Sequence, residues 1–423
     1  MMAGAQDTLK KTSQQTTPQA TEQHTRTTAY TLPPDKLAKS KALYDLDNRL
    51  LLIDTVYGFL ILLGILYLGV AARYRDWAEK VSGYFRYQAL IFLPLLLLTI
   101  RLLNLPLSIY GHHINLQYGL SVQGWSSWFA DLLKSEIMSL LVFTTLLALI
   151  ILLIRKSPRR WWFYSWLVAV VILLLLTWVA PIAIDPLYYN FTPLEKTQPQ
   201  LVEQLEKVVQ RGGLSIPRDR MYEMDASRKV TTLNAYVTGF GASKRVVVWD
   251  NTIQKMTIPE TLFVFGHEMG HYVLNHIIQG IILGSLGLLL GFYVLYRLCK
   301  WFLPRSQQRW HIRELGDWAA VPMLLLLFGI LGFIAEPIGN TISRHVEHEA
   351  DIYGLEVTHG INPDPQEAAA HSFQMLGEMS LDYPYPSRLA VIWYWNHPPI
   401  SDRVRFAREY DPWSKGEKPK FVK

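Results

Sequence analysis

The sequence contains one cysteine, Cys299, in an apolar run. A single thiol cannot form an internal disulfide, and it excludes zinc sites built from several cysteines. Charged residues are also scarce, at 18% of the chain, whereas about a quarter is typical of soluble domains. Half of the 423 residues are hydrophobic, so the chain has a large amount of apolar surface to bury or to place in lipid.

The basic residues do not form one continuous patch along the sequence, although the formal net charge is +6. Lys and Arg lie in short loops beside apolar runs, a distribution that is typical of membrane proteins rather than of nucleic-acid-binding domains. We therefore expect a lipid bilayer, and no nucleic acid, among the partners of the chain.

Residues 1–36 have almost no large apolar side chains and are rich in Gln, Thr, Ala and Ser. Such a segment cannot bury enough surface to offset the entropy lost on ordering, so we expect a disordered tail. It has no apolar core of the kind found in signal peptides, and a cleaved leader is not expected.

Six apolar segments of about twenty residues are long enough to cross a hydrocarbon core roughly 30 Å thick. They lie at about 50–72, 88–110, 132–154, 161–184, 277–302 and 317–339. In the fourth, Trp161 and Trp162 stand at one end, where aromatic residues mark a membrane interface. Six such segments predict an integral, multi-pass membrane protein.

The segment at 185–276 is polar and mixed in character, and it separates the fourth apolar run from the fifth. Glu203 to Val209 predicts a helix, and Leu233 to Val237 and Val246 to Trp249 predict short strands. Thr192 and Glu195 have the spacing of a helix capping box. The segment therefore predicts an inserted soluble α+β domain.

The predicted organisation is that of a mainly α, polytopic membrane protein with this inserted domain. Its parts are the tail at 1–36, about four transmembrane helices within 37–184, the soluble portion at 185–276, two further spans within 277–339, and a C-terminal portion at 340–423.

The stretch His267-Glu268-Met269-Gly270-His271 has the pattern HExxH. In a helix, positions four apart lie on one face, so both imidazoles can reach the same metal ion. Thr257 and Glu260 have the spacing of a capping box and favour a helix here. We interpret His267 and His271 as ligands of one Zn²⁺ per chain, and Glu268 as the general base for peptide hydrolysis.

Catalytic zinc usually has three protein ligands and one position for water, so a further ligand is expected. The stretch 343–351 offers His345, Glu347, His348 and Glu349. In a helix, Glu347 and Asp351 share a face, which suits a ligand next to a carboxylate that steadies a histidine. Spacing alone does not choose among the four candidates.

Four ordered motifs resemble the Ste24-type CAAX prenyl proteases of the M48 metallopeptidases, from about residue 38 to the C-terminal region. The motifs are Asn234-Ala235-Tyr236 followed by Ser243-Lys244-Arg245; the HExxH; Ser343-Arg344 through Glu347 and Ala350-Asp351; and Asn396-His397-Pro398-Pro399 followed by Arg403. The resemblance implies a zincin-like metalloendopeptidase within a helical membrane protein. Eukaryotic members look like seven-span proteins, and the Gln/Thr-rich tail stands in the place of their first span.

The resemblance also implies roles for single residues. Glu347 would be the third zinc ligand, and Asp351 would support a zinc-binding histidine. Asn234 and Ala235 would lie on a strand edge that binds the substrate backbone.

For two further residues the resemblance and the bare sequence differ. The resemblance implies that His397 and Arg403 face the metal and hold the substrate or the oxyanion. Without it, the same stretch predicts a helix-capping turn with an exposed salt bridge.

Eukaryotic members of this family look like enzymes that remove a C-terminal tripeptide from a prenylated cysteine. The expected substrate is a peptide or protein, with or without a prenyl group, and a bacterial enzyme is expected to cleave membrane or misfolded proteins. The expected location is the bacterial cytoplasmic membrane, or the endoplasmic reticulum in a eukaryote.

Loop charge and the family resemblance give opposite orientations. Lys and Arg are concentrated after the first, third and fifth spans, and by the positive-inside rule these loops face the cytoplasm. The domain at 185–276 would then face outward, whereas the resemblance implies a cytosolic catalytic domain.

The main alternative is a membrane transporter or channel in which His267, Glu268 and His271 form an ion site, since ionisable groups within a membrane are usually functional. It requires neither a third ligand nor a substrate strand. An inactive scaffold is a second alternative, and the intact HExxH with Glu347 argues against it.

Overall fold

The computed structural model describes residues 29–239 and 244–422. In these ranges the chain is mainly helical, with one small sheet. The elements in chain order are α1 (Pro34–Tyr67), α2 (Val70–Val81), α3 (Phe85–Tyr118), α4 (Trp125–Lys156), α5 (Trp161–Val179), β1 (Phe191–Pro193), α6 (Leu194–Thr197), α7 (Pro199–Arg211), β2 (Met221–Met224), β3 (Ala235–Thr238), β4 (Arg245–Trp249), α8 (Asp250–Lys255), α9 (Ile258–Val273), α10 (His276–Ser306), α11 (Val321–Thr358), α12 (Pro365–Met379), α13 (Arg388–Tyr394) and α14 (Ile400–Glu409).

Six helical segments in the described ranges are long and apolar enough to cross a membrane. They correspond to α1, α3, α4, α5, α10 and α11, and each overlaps one of the six predicted spans. A helix satisfies its own backbone polar groups, which is why apolar segments adopt this form in lipid. The predicted polytopic helical architecture is confirmed.

The first span differs from the prediction at both ends. α1 begins at Pro34 rather than near residue 50, and it ends at Tyr67 rather than at 72. Gly69 has a φ of 66°, a left-handed conformation that favours glycine, and it turns the chain into α2. The first turns of α1 are too charged to resemble a span, but they are held by contacts such as that of Lys36 Nζ with Glu378 Oε1 at 2.5 Å.

The tail predicted for residues 1–36 is wrong at its C-terminal end. Residues 1–28 lie outside the described ranges, as does Ser243 of the strand motif. Tyr30 and Leu32 are buried in an apolar core, and the Tyr30 hydroxyl donates to the Asp382 carbonyl oxygen at 3.2 Å. Two large apolar side chains are enough to fix this part of an otherwise polar segment.

The sheet has the strand order β1-β2-β4-β3. β2 and β4 are parallel, and the two outer strands are antiparallel to their neighbours. The strand predicted at Val246 to Trp249 is confirmed as β4, and the one predicted at Leu233 to Val237 begins two residues later, as β3. β3 is an edge strand of the described sheet.

The capping box predicted for Thr192 and Glu195 is wrong. Thr192 lies opposite Glu223 in the ladder between β1 and β2, so Thr192 belongs to a strand and not to a helix cap. Pro193 takes the position before α6, and among the described residues no side-chain hydrogen bond caps that helix.

The two largest of three buried cores organise the described residues. One lies among the membrane helices and contains Trp161 and Trp318. The other joins the sheet with α7, α9, α12 and α14, and its side chains range from Tyr30 to Val422. The portions predicted at 185–276 and 340–423 therefore pack into the same core.

Candidate metal centre

Helix α9 carries the HExxH residues through the second core. The predicted capping box at its start is confirmed, since Thr257 and Glu260 cap each other and the Thr257 N–H donates to Glu260 Oε2 at 2.7 Å. The buried side chains of α9 fix the helix against its surroundings. They include Leu262, Phe263, Phe265, His267 and Met269.

α9 packs directly against α11, and glycines set how closely the two helices approach. A Cβ at Gly354 would lie 3.0 Å from the His267 backbone nitrogen, and one at Gly266 would lie 2.8 Å from the Val357 side chain. Because α11 continues from its apolar half to Thr358, this contact brings Glu347 beside the histidines.

His267, His271 and Glu347 converge on one point. The two Nε2 atoms are 3.2 Å apart, His267 Nε2 is 3.3 Å from Glu347 Oε2, and His271 Nε2 is 3.4 Å from Glu347 Oε1. Of the four candidates for a third ligand, the structure brings Glu347 to the histidines. His345 and His348 are exposed, and Glu349 lies to one side.

The 3.2 Å between the two Nε2 atoms fits a tetrahedral zinc ion, and the Glu347 carboxylate has one oxygen within 3.4 Å of each of them. Ligand atoms about 2.0–2.1 Å from such an ion lie roughly 3.3 Å from one another. Glu347 Oε2 is also buried between two imidazole nitrogens, with His267 Nε2 3.3 Å and His397 Nε2 3.4 Å away. The donor set of two imidazoles and one carboxylate is typical of catalytic zinc.

The charges around the histidines also favour a cation. Burial lowers the pKa of the His267 imidazole, but the Asp351 and Glu347 carboxylates more than offset this and raise it to about 10. Burial and the neighbouring His267 lower the pKa of His271 to about 3, which keeps that ring neutral. Metal ligands must be deprotonated, so a divalent ion would take the place of a proton on His267.

Asp351 lies behind the His267 ring. Asp351 Oδ1 lies 2.8 Å from His267 Nδ1, on the side of the ring opposite Nε2. Arg403 donates two hydrogen bonds to the same carboxylate, and its Nη2 is 3.8 Å from Glu347 Oε2. Arg403 is therefore buried and paired with Asp351. The exposed salt bridge that the bare sequence predicts for this stretch is replaced, at Arg403, by this buried pair.

A cleft of about 410 Å³ opens beside the three converging side chains. Glu268 lines it, and burial raises the pKa of this carboxyl to about 7. His397 also lines the cleft, with its Nε2 3.4 Å from Glu347 Oε2 and its Nδ1 2.8 Å from Asn396 Oδ1. The cleft thus brings together a carboxyl group that titrates near neutral pH and an imidazole, both next to the candidate metal position.

The edge strand β3 lies at the same cleft, which is lined by Asn234. The Asn234 carbonyl accepts from the Trp249 N–H at 3.1 Å, so the backbone groups of Asn234 face β4. Strand alternation then directs those of Ala235 and Val237 to the open edge. The Ala235 N–H is already bonded to Asn234 Oδ1 at 2.8 Å. The Ala235 carbonyl and the backbone groups of Val237 are the ones that this alternation places at the edge of the described sheet.

Sequence reasoning missed two features of the site. Asp382 lines the cleft, yet nothing in its sequence neighbourhood marks it. His276 lies 3.2 Å from His271, Nδ1 to Nδ1, and its position five residues after the second histidine of HExxH was the available signal.

The fold and the site together define a multi-pass membrane metallopeptidase. A family model described as peptidase family M48 matches residues 195–411, and one described as CAAX prenyl protease N-terminal, five membrane helices, matches residues 9–190. The chain belongs to peptidase family M48. This assignment favours a peptidase acting on peptides or proteins over the transporter or channel alternative.

Several proteins are similar to the chain over most of its length. The uncharacterized metalloprotease YhfN of Bacillus subtilis (strain 168) is 34% identical over 380 residues, which cover 89% of this chain and 87% of the relative. The CAAX prenyl protease 1 homolog of Mus musculus is 26% identical and covers 88% of this chain, with 86% of its own length aligned. The crystal structure of S. mikatae Ste24p matches with a TM-score of 0.74 and 23% identity over 89% of each chain, which shows a shared fold.

Proposed function

We propose that the chain is a zinc endopeptidase whose metal is held by His267, His271 and Glu347. The observation that carries this proposal is the 3.2 Å separation of the two Nε2 atoms, which matches tetrahedral zinc, with one Glu347 oxygen 3.3 Å from His267 Nε2 and the other 3.4 Å from His271 Nε2, beside the carboxyl of Glu268. One Zn²⁺ per chain is expected.

Glu268 is the general base in this proposal. A bound Zn²⁺ would polarise the substrate carbonyl and lower the pKa of a water in the cleft toward about 7. Glu268 takes a proton from that water and returns it to the leaving amine. A carboxyl whose pKa is raised to about 7 by burial suits both transfers near neutral pH.

His397 and Arg403 take different parts. The His397 imidazole faces the cleft next to Glu347 and can donate a hydrogen bond to the oxyanion that forms on the substrate. Arg403 acts through Asp351, which holds the His267 ring in place, rather than on the oxyanion directly. The predicted direct role of Arg403 on substrate is thus modified.

We propose that the substrate adds as a strand to the edge of β3, since edge strands bind extended peptides through unpaired backbone groups. The groups available are the Ala235 carbonyl and the backbone of Val237. Asn234 precedes the strand and lines the cleft, where its side chain can contact the same peptide.

The substrate class follows from the membrane setting and from the relatives. Several relatives are named CAAX prenyl protease 1, so a protein with a prenylated C-terminal cysteine is the first candidate substrate. An unmodified membrane or misfolded protein is the second, and it is favoured by the bacterial relative, whose name specifies only a metalloprotease.

The test is purification in detergent, followed by zinc analysis and cleavage of two matched peptides, one farnesylated at a CAAX cysteine and one unmodified. We expect one zinc per chain and chelator-sensitive cleavage of at least one peptide. Zinc without cleavage of either peptide would argue against the peptidase assignment of this site.

Variants separate metal binding from catalysis. Glu268→Gln should keep zinc and lose nearly all hydrolysis, because an amide cannot accept the proton. His267→Ala should lose both zinc and activity. Substantial turnover by Glu268→Gln would remove Glu268 from its proposed role.

A further inference from the structure

The second histidine of the candidate triad has its own partner. His271 turns its Nε2 toward Glu347 and its Nδ1 toward His276, whose Nδ1 is 3.2 Å away. His276 is the first residue of α10 and is buried, with only 5% of its surface exposed. The preceding Asn275 adopts a left-handed conformation, φ 59°, which turns the chain sharply from α9 into α10 and brings the two rings together.

His276 in turn contacts a carboxylate. Its buried Nε2 lies 3.4 Å from Glu349 Oε2, and Lys420 Nζ lies 3.0 Å from Glu349 Oε1. Lys420 belongs to the C-terminal segment, whose backbone N–H groups at Phe421 and Val422 donate to the buried carboxylate of Glu356. The cation is thus attached to an anchored part of the chain.

The proton positions along this row agree with one another. A histidine that binds metal through Nε2 carries its proton on Nδ1, so His271 must donate from Nδ1. His276 then accepts at Nδ1 and carries its own proton on Nε2, which faces Glu349. Every group in the row therefore has the polarity that its neighbour requires.

The row has the same plan as the one behind the first histidine. His267 is followed by Asp351 and the guanidinium of Arg403, and His271 is followed by His276, Glu349 and Lys420. Both rows begin at an imidazole and end at a cation, and the second is one residue longer. Partners of this kind fix the ring orientation and tautomer of metal ligands.

We infer that His276 is a positioning residue for the metal site, which holds the Nδ1–H tautomer and the orientation of His271 and is itself oriented by Glu349. This inference rests on the proposed zinc function. In this inference Glu349 orients His276, a role distinct from the ligand role that spacing alone allowed.

The test measures how fast zinc-loaded protein in detergent releases zinc to a chelator, followed with a zinc-binding dye. His276→Leu fills the same space without an acceptor and should release zinc about 10 to 100 times faster than wild type. His276→Gln offers an amide oxygen to the His271 N–H and should lie much closer to wild type. His345→Ala, an exposed histidine on α11, is the matched control and should release zinc at the wild-type rate.

The outcomes are distinguishable. A purely packing role would leave zinc release by His276→Leu unchanged, or would impair the Leu and Gln variants equally, and either result would overturn the inference. If His276→Leu does not fold, Glu349→Gln replaces it, with faster zinc release expected and a wild-type rate contradicting the inference. If wild-type protein binds no zinc at all, the proposed function itself fails.

Discussion

Arg403 and Asp351 form a buried pair joined at two points. Arg403 Nε donates to Asp351 Oδ2 at 3.0 Å, and Nη2 donates to Oδ1 at 2.6 Å. The same carboxylate lies 2.8 Å from His267 Nδ1. The planar guanidinium fork matches a carboxylate as an ammonium group cannot, so the pair fixes the orientation of Asp351 as well as its charge.

The first prediction concerns this geometry. Arg403→Lys keeps the positive charge but loses one of the two hydrogen bonds, so Asp351 should no longer hold His267 in one orientation. We expect a loss of zinc affinity of about 10- to 100-fold, the usual effect of changing a group that orients a metal ligand. Competition with a chelator of known affinity measures it.

The control for this variant lies two residues further along the same helix. Arg405 is exposed and pairs with Asp402, an arrangement that contributes little to stability. Arg405→Lys should bind zinc like wild type. Equal zinc affinity in both lysine variants would contradict the role assigned to the Arg403 fork.

The second prediction concerns the close contact between α9 and α11. Gly354→Ala places a methyl group about 3.0 Å from the His267 backbone nitrogen, so the helices must separate. Overpacking of this kind costs about 1–3 kcal/mol of unfolding free energy. Because Glu347 and His267 lie on opposite helices, zinc affinity should fall as well, which chelator competition and thermal unfolding measure together.

Gly339→Ala is the matched control, since it lies on α11 where an added Cβ meets no atom of the described residues within 4 Å. Alanine is a better helix former than glycine, so this variant should be neutral or slightly stabilising. A Gly354→Ala protein with wild-type zinc affinity would show that the contact does not set the site.

The third prediction concerns the edge of β3. Val237→Pro removes a backbone N–H that faces the open edge and leaves the ladder to β4 intact. Loss of one hydrogen bond to a substrate strand should lower kcat/KM about 3- to 10-fold, which corresponds to roughly 1 kcal/mol. Val237→Thr keeps the N–H and should cleave like wild type, so equal rates for the two variants would argue against strand addition here.

Much of the architecture could be predicted because long apolar runs and HExxH are local signals. The six spans depend on composition alone, and the capping box of Thr257 and Glu260 depends on four consecutive positions. The burial of Tyr30 could not be foreseen, since it packs against residues about 350 positions away. The prediction for Thr192 failed for the same reason. Its pairing with Glu223 in the sheet places it in a strand, although its local sequence favours a helix cap.

In the candidate site too, local spacing could be predicted from the sequence and the packing between helices could not. Helical spacing places His267 with His271 and Glu347 with Asp351, but it does not show that Gly354 lets the two helices meet. Spacing left Glu347 and Glu349 as equal candidates, and they differ in which face of α11 meets α9. That difference depends on the packing of the whole helix.

The last prediction concerns Asp382, which lines the cleft. Burial raises its pKa from 3.8 to about 6, although Arg403 acts in the opposite direction. Because the folded state favours the neutral form, the charged carboxylate destabilises the fold above pH 6, and this cost disappears below the unfolded pKa near 3.8. At 1.36 kcal/mol per pH unit, the cost at neutral pH is at most about 3 kcal/mol.

Asp382→Asn should therefore be more stable than wild type at pH 7.5, and the difference should shrink as the pH falls toward 4. Thermal unfolding in detergent across this range measures it, with Asp219→Asn, at an exposed position in a short turn, as the control substitution. A less stable Asn variant at pH 7.5 would mean that the folded protein stabilises the Asp382 charge. The attraction between the Asp382 carboxylate and a partner such as Arg403 would then exceed the cost of burying the charge.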